Sequence, residues 1–120
     1  MTTVKLSDDQ WQRIRDFLRA DPNAYVGQEA ECRRFVEGVI WLSRSGAQWR
    51  LLPSEYGNWN SIYKRFARWC DAGVWERMLS QFADEADMES VMLDSTIVRA
   101  HPYAAGAQKK RRTGDASLGT

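Results

Sequence analysis

Apolar and polar residues follow each other along most of the chain with the three- and four-residue spacing of amphipathic helices. The first such run comes after Ser7, which forms a capping-box pattern with Gln10 and precedes apolar residues that recur from Trp11 to Leu18. Acidic residues in the first turn suit the positive end of the helix dipole. We therefore predict a first helix over residues 7–19.

The same spacing predicts three further helices, at residues 29–46, 58–73 and 74–87. Asn58 is a plausible N-cap for the third helix, and Gly46 and Gly73 suit the ends of the second and third helices. The segment between the second and third helices contains Pro53 and Gly57. It is therefore predicted to be a turn-rich connector.

The pattern changes after the fourth helix, where residues 90–100 are rich in β-branched side chains and predict one strand. After Pro102 the residues are small and basic, which is typical of a loop or a disordered tail. A single strand cannot form a stable sheet, and no second strand is evident. We therefore expect a helical module at residues 1–89, the first strand of an incomplete domain at 90–101, and a flexible basic tail at 102–120.

Composition excludes several classes of protein. Hydrophobic residues make up 43% and charged residues 28% of the 120 residues, as in a soluble globular protein, and six tryptophans favour an aromatic core. Cys32 and Cys70 lack metal-ligand spacing, so they are expected to be reduced core thiols rather than zinc ligands. The absence of a long apolar run or a secretory signal pattern predicts a cytoplasmic protein without membrane partners.

The net charge of +1 conceals a strong segregation of charge. Residues 41–70 carry five basic and one acidic side chain, whereas residues 71–90 carry one basic and six acidic side chains. Such asymmetry can mark a site for a polyanion. The polar side of the third helix carries the candidate DNA-binding residues Asn60, Ser61, Lys64, Arg65 and Arg68.

Two interpretations of this polar side remain open. Two helices, the second with a basic outer face, are the layout of a helix-turn-helix DNA-binding protein, in which Asn60 and Ser61 would lie near base edges. The alternative is the solvated face of an ordinary helical bundle. The connector at residues 47–57 is longer than the usual helix-turn-helix turn, which weakens the first interpretation.

Asp94 lies in the middle of the predicted apolar strand, where an unpaired charge would be costly. In nucleotidyl-transferring folds of the RNase H type, a carboxylate in such a position holds Mg²⁺ together with two other carboxylates. The alternative is a turn or capping residue hydrogen-bonded to Ser95 and Thr96. His101 is the only histidine and has no evident nucleophile beside it, so a surface position is expected.

Three segments carry a resemblance to a known family: WRLLPSEYGNW at residues 49–59, YKRFARWCDAGVWERML at 63–79, and LDSTIVRAH at 93–101. In this order they resemble the N-terminal region, or upstream reading frame, of bacterial insertion-sequence DDE transposases. The resemblance extends over about residues 5–108. In that family a helical module precedes an RNase H-like catalytic domain.

The resemblance implies a mainly α fold, with a four-helix, helix-turn-helix-like module ahead of a β-strand that begins an RNase H-like domain. It implies binding of double-stranded DNA at the terminal inverted repeats of a mobile element. It also makes Asp94 the first catalytic and metal-binding residue for DNA transposition, with Mg²⁺ as the cofactor of a completed active site. Asp115 is the only acidic residue after Asp94 in the sequence, and no Glu follows. The remaining ligands would therefore come from a C-terminal half, joined by frameshifting or association, without which the chain is not expected to be catalytic.

Other functions fit the same residues. One is a stand-alone helix-turn-helix regulator of transposition, which would bind DNA without catalysing a reaction. Another is an inactive truncated remnant or a protein-interaction module, for which the acidic segment at residues 71–89 would suit a partner. Homodimerisation is a further expectation of the transposase interpretation.

Overall fold

The computed structural model describes residues 4–89 and 97–98, and these residues are arranged in helices and turns without a strand. The predicted mainly helical fold is therefore confirmed. The helices in the described ranges are α1 (Asp8–Ala20), α2 (Glu29–Ser45), α3 (Trp59–Asp71), α4 (Val74–Phe82) and α5 (Ala86–Glu89). The connector between α2 and α3 contains the 3₁₀ turns Trp49–Leu51 and Ser54–Tyr56.

The predicted helix starts are confirmed in atomic detail. The Ser7 hydroxyl accepts a hydrogen bond from the Gln10 backbone N–H at 3.1 Å, and the Gln10 side chain accepts one from the Ser7 N–H at 3.0 Å. The Asn58 side chain likewise accepts from the N–H groups of Asn60 and Ser61. These bonds satisfy backbone donors that the first turn of a helix leaves without intrahelical partners.

α2 is the central element of the core, with a continuous buried run at residues 35–42. It ends at Gly46, whose positive φ of 68° is the left-handed conformation that favours glycine. Gly38 lies against the second 3₁₀ turn, because a Cβ atom at this position would be 3.0 Å from the Tyr56 Cβ. Glycine at this position therefore allows α2 to pack closely against this turn.

Aromatic side chains fill the space between α2, α3 and α4. Phe35, Trp69 and Trp75 contact each other with ring centroids 5.0–5.8 Å apart, and Phe66 contacts Trp75 at 5.7 Å. The buried Trp75 indole N–H donates to the Phe66 carbonyl at 3.2 Å. This cluster confirms the aromatic core expected from the tryptophan content, and it fixes α3 against α2.

The first described residues lie across α2 as an extended segment. The Tyr56 hydroxyl accepts from the Val4 N–H at 2.6 Å, and the carboxylate of Glu37 accepts from the Leu6 N–H at 2.8 Å. Arg33 donates to the Leu6 carbonyl. Side chains thus satisfy backbone groups of Val4 and of the buried residue Leu6.

The fourth helix is shorter than predicted. α4 ends at Phe82, not at residue 87, and a turn precedes the short helix α5. The Glu85 N–H donates to the Phe82 carbonyl in this turn, and Met88 in α5 is fully buried. Arg13 of α1 holds the segment with salt bridges to Glu85 at 2.8 Å and Asp87 at 3.2 Å.

The predicted strand at residues 90–100 and the predicted basic tail lie outside the described residues, apart from Ile97 and Val98. These two residues have helical backbone rather than the extended backbone predicted for them. Val98 is 1% exposed and belongs to the same hydrophobic core as Met88. Burial in the helical module therefore extends to this position.

Candidate nucleic-acid interface

α3 separates its apolar and polar residues onto opposite sides. Ile62, Phe66 and Trp69 are buried against the core. The exposed residues recur three and four positions apart and therefore share one side of the helix. They are Asn60, Ser61, Lys64, Arg68 and Asp71. Four of the five residues predicted to bind DNA are therefore on one exposed face, which we call the α3 face.

Lys64 and Arg68 are the cationic part of the α3 face. They are one helical turn apart and border a shallow cleft of about 380 Å³ together with Tyr63 and Asp71. Within the described ranges neither Lys64 nor Arg68 has a salt-bridge partner. Among the described residues, therefore, no carboxylate neutralises these two charges.

Arg65, predicted to accompany Lys64 and Arg68, is directed elsewhere. Its guanidinium donates to the backbone carbonyls of Tyr25 and Val26, the latter at 3.1 Å. It also lies over the rings of Phe35 and Trp69, with distances of 4.7 and 5.3 Å to their centroids. These contacts are those of a cation–π anchor that holds the loop after α1. The i, i+4 spacing of Arg65 and Trp69 permits the contact with the Trp69 ring, but it does not indicate the hydrogen bonds to the loop.

A second cleft, of about 550 Å³, lies between α3 and the loop at residues 21–28. Arg68 and Asp71 border it from α3, and Asn23 and Tyr25 border it from the loop. The side chain of Tyr25 is 77% exposed. Tyr25 did not emerge from the sequence pattern, because a lone aromatic residue in a Pro/Asn/Gly-rich loop has no periodicity to identify it.

The loop is fixed at its start by an ion pair in which the carboxylate is buried and the guanidinium is partly exposed. Asp21, which is 8% exposed, accepts two hydrogen bonds from Arg77 of α4 at 2.7 and 3.0 Å and one from the Asn23 N–H at 2.9 Å. The hydrogen bonds from Arg77 hold the pKa of the Asp21 carboxyl below its usual value, although burial opposes this effect. The carboxylate is therefore charged at neutral pH and links α1, the loop and α4.

The shortest connection between two of the longer helices in the described ranges is not between α2 and α3, where the helix-turn-helix pair was predicted. The connector between α2 and α3 is long and contains the two 3₁₀ turns. By contrast, only Ala72 and Gly73 separate α3 from α4, and Gly73 has a φ of 77°. A short turn containing glycine is typical of helix-turn-helix pairs. In the described structure, α3 and α4 match that local pattern better than α2 and α3.

The predicted catalytic and metal-binding residue, Asp94, lies outside the described residues. Among the residues that the structure describes, no group of three or more His, Cys, Asp or Glu side chains is arranged to hold a metal ion. The described part of the helical module therefore does not provide a Mg²⁺ site. No helix in the same part of the chain is long and apolar enough to cross a membrane.

Comparison with known proteins relates the chain to a family of insertion-sequence transposases. Residues 6–79 match the family described as "Putative transposase of IS4/5 family (DUF4096)", a region that includes α3 and ends before Asp94. The chain is similar to "Uncharacterized protein y4sN" of Sinorhizobium fredii (strain NBRC 101917 / NGR234), with 43% identity over 106 residues, which are 88% of this chain and 85% of that protein.

A second relative is named after an insertion element. The chain is 30% identical to "Insertion element IS402 uncharacterized 16.2 kDa protein" of Burkholderia cepacia over 76 residues, which are 57% of this chain and 52% of that protein. No solved structure matches the chain.

Proposed function

Because the chain belongs to the IS4/5 transposase family (DUF4096), we propose that it acts as the N-terminal part of an insertion-sequence transposase and binds DNA at the ends of its element. The observation that carries the proposal is the α3 face, where Lys64 and Arg68 are exposed and lack salt-bridge partners within the described residues. Positive charges that are not neutralised within the protein can replace the counterions of the DNA backbone.

The proposal gives the residues of this face different roles. Lys64 and Arg68 contact phosphates, which gives affinity without sequence preference. Asn60 and Ser61, in the first turn of α3, contact base edges, because amide and hydroxyl groups can both donate and accept hydrogen bonds. Arg65 acts indirectly by holding the loop against α3.

The test compares two double variants that remove the same charge. Lys64→Ala with Arg68→Ala changes the α3 face. Lys5→Ala with Arg34→Ala removes two exposed cations that border a different cleft, beside the N-terminal segment. Fluorescence anisotropy would measure the binding of the full chain to a duplex from the element's end and to a scrambled duplex, over a series of salt concentrations.

We expect the α3-face variant to bind DNA more weakly and to reduce the slope of log K against log salt concentration by about 2, one for each lost phosphate contact. The control variant should keep the wild-type slope. Equal slopes for the two variants would contradict the assignment of the α3 face. Equal wild-type affinity for the two duplexes would contradict recognition of the element's end.

We further propose that Asp94 supplies the first metal-binding carboxylate for DNA strand transfer. The described residues offer no metal cluster, so the other carboxylates must come from elsewhere. Asp94→Asn should leave DNA binding unchanged and abolish strand transfer by the transposase that contains the completed site. Strand transfer at the wild-type rate by this variant would exclude the role, and it would favour a regulator that only binds DNA.

A further inference from the structure

Tyr25 lies on a loop that is held by hydrogen bonds from Arg65 of α3 and Arg77 of α4. Its ring lies over Gly27, where a Cβ atom would be 2.8 Å from the Tyr25 Cε2, so the left-handed glycine leaves room for the ring. Arg65 donates hydrogen bonds to the backbone carbonyls of Tyr25 and Val26, and the Asp21–Arg77 ion pair fixes the start of the loop. The aromatic side chain is therefore held in place while 77% of it is exposed.

The cleft beside Tyr25 combines four kinds of chemical group. It offers the aromatic ring of Tyr25, the cation of Arg68, the carboxylate of Asp71 and the amide of Asn23. Within the described ranges, Arg68 and Asp71 do not form a salt bridge with each other or with any other residue. Its volume of about 550 Å³ is in the usual range for a site that encloses one small molecule or group.

These groups are complementary to one nucleotide. An aromatic ring stacks on the face of any base, an arginine binds phosphate, and a carboxylate or amide accepts a hydrogen bond from an exocyclic amino group. In a paired duplex the base faces are covered by neighbouring pairs, and the grooves present only base edges. A ring at the mouth of a cleft can stack only on a base that has left the duplex stack.

We propose that the cleft between α3 and the loop at residues 21–28 binds one unpaired nucleotide of the DNA, with Tyr25 stacked on its base and Arg68 on its phosphate. This inference rests on the proposed DNA-binding function. Arg68 borders both this cleft and the α3 face. A strand that follows the α3 face therefore reaches the cleft without leaving the protein surface.

The experiment uses the full chain and two forms of the element-end duplex, one fully paired and one with a single unpaired nucleotide. The unpaired nucleotide is moved along the duplex, and 2-aminopurine at that position reports stacking by its fluorescence. Tyr25→Ala is compared with Tyr25→Phe, which keeps the ring. Leu51→Ala is the matched control, because Leu51 is also a large exposed apolar residue, at 64%.

We expect the wild type to prefer the unpaired form by roughly five- to a hundredfold at one position, the range found when a stacking aromatic is removed. Tyr25→Ala should abolish this preference and leave the affinity for the paired duplex unchanged. Tyr25→Phe and Leu51→Ala should keep the preference. Gly27→Ala, which displaces the ring without removing it, should resemble Tyr25→Ala.

Three results would overturn the inference. The first is equal wild-type affinity for the two forms at every position. The second is a Tyr25→Ala variant that loses the same affinity for the paired and the unpaired duplex. This result would contradict binding of an unpaired nucleotide, but it would not contradict the proposed DNA-binding function. The third is binding of a free nucleoside monophosphate as tight as that of the unpaired duplex, which would indicate a small-molecule site. If the chain binds no DNA, the proposed function and this inference both fail.

Discussion

Replacing Arg77 by Met tests whether the Asp21 ion pair stabilises the module. The substitution keeps the apolar stem of the side chain and removes both hydrogen bonds to the Asp21 carboxylate, at 2.7 and 3.0 Å. The Asp21 side chain is only 3% exposed and would keep a single partner, the Asn23 N–H. Breaking one partner of a buried pair costs about 3–5 kcal/mol. Arg77 is itself 45% exposed, so water screens the pair and we expect about 2 kcal/mol.

The pH dependence of this loss follows from the depressed pKa of Asp21. A carboxyl whose pKa is lower in the folded state binds its proton more readily when unfolded, so the ion pair stabilises the fold above the unfolded pKa of about 3.9. The contribution is present at pH 7 and is lost as the pH falls through the folded pKa. We therefore expect wild type and Arg77→Met to differ in stability at pH 7 and to converge as the pH falls through the folded-state pKa of Asp21.

Urea unfolding, followed by tryptophan fluorescence, measures both effects, because Trp69 and Trp75 are buried in the aromatic cluster. Arg34→Met is the control, since Arg34 is exposed and has no salt-bridge partner within the described ranges. Adding Asp21→Asn to Arg77→Met should recover part of the loss by removing the unpaired charge. A loss below about 0.5 kcal/mol at pH 7 would refute this reasoning, and so would a loss that stays constant as the pH is lowered through the unfolded and folded pKa values of Asp21.

Three other perturbations have defined outcomes. Gly38→Ala gains helix propensity but places its Cβ 3.0 Å from the Tyr56 Cβ, so we expect a net loss of about 1 kcal/mol in urea unfolding; a gain in stability would show that the contact is loose. Tyr56→Phe removes the hydroxyl that binds Val4 and should cost about 1 kcal/mol, with faster amide exchange at the N-terminal segment. Burial raises the pKa of Cys32 to about 11 and that of Cys70 to about 12, so neither thiol should react with a thiol reagent at pH 8 until urea unfolds the chain.

The elements with strong local signals were predictable from the sequence. The capping box at Ser7, the Asn58 cap and the glycine stop at Gly46 are determined by neighbouring residues, and the structure has all three. The end of α4 was not predictable in this way. The break after Phe82 depends on the burial of Met88 and on ion pairs with α1, which are contacts between residues far apart in sequence.

In the candidate site, too, local features were predictable from the sequence, whereas contacts between distant residues were not. Helical spacing is enough to group Asn60, Lys64 and Arg68 on one exposed face. It also grouped Arg65 with them, because spacing alone cannot show that a guanidinium reaches back to a loop 39 and 40 residues earlier. Tyr25 was missed for the corresponding reason. The cleft that it borders exists only when the loop is folded against α3.

Val98 is buried in the same core as Met88, and this limits where the helical module can be separated from the rest of the chain. Both side chains lie in the same core as the helices, at 1% and 0% exposure, although they are on opposite sides of residue 94. A recombination event or a laboratory chimaera joined between residues 89 and 90 would therefore divide one core, and the helical half would lose a buried valine. The unit that can be transplanted intact extends at least to residue 98. The helical module, with its proposed DNA-binding face, and the chain that carries Asp94 are thus expected to be inherited together.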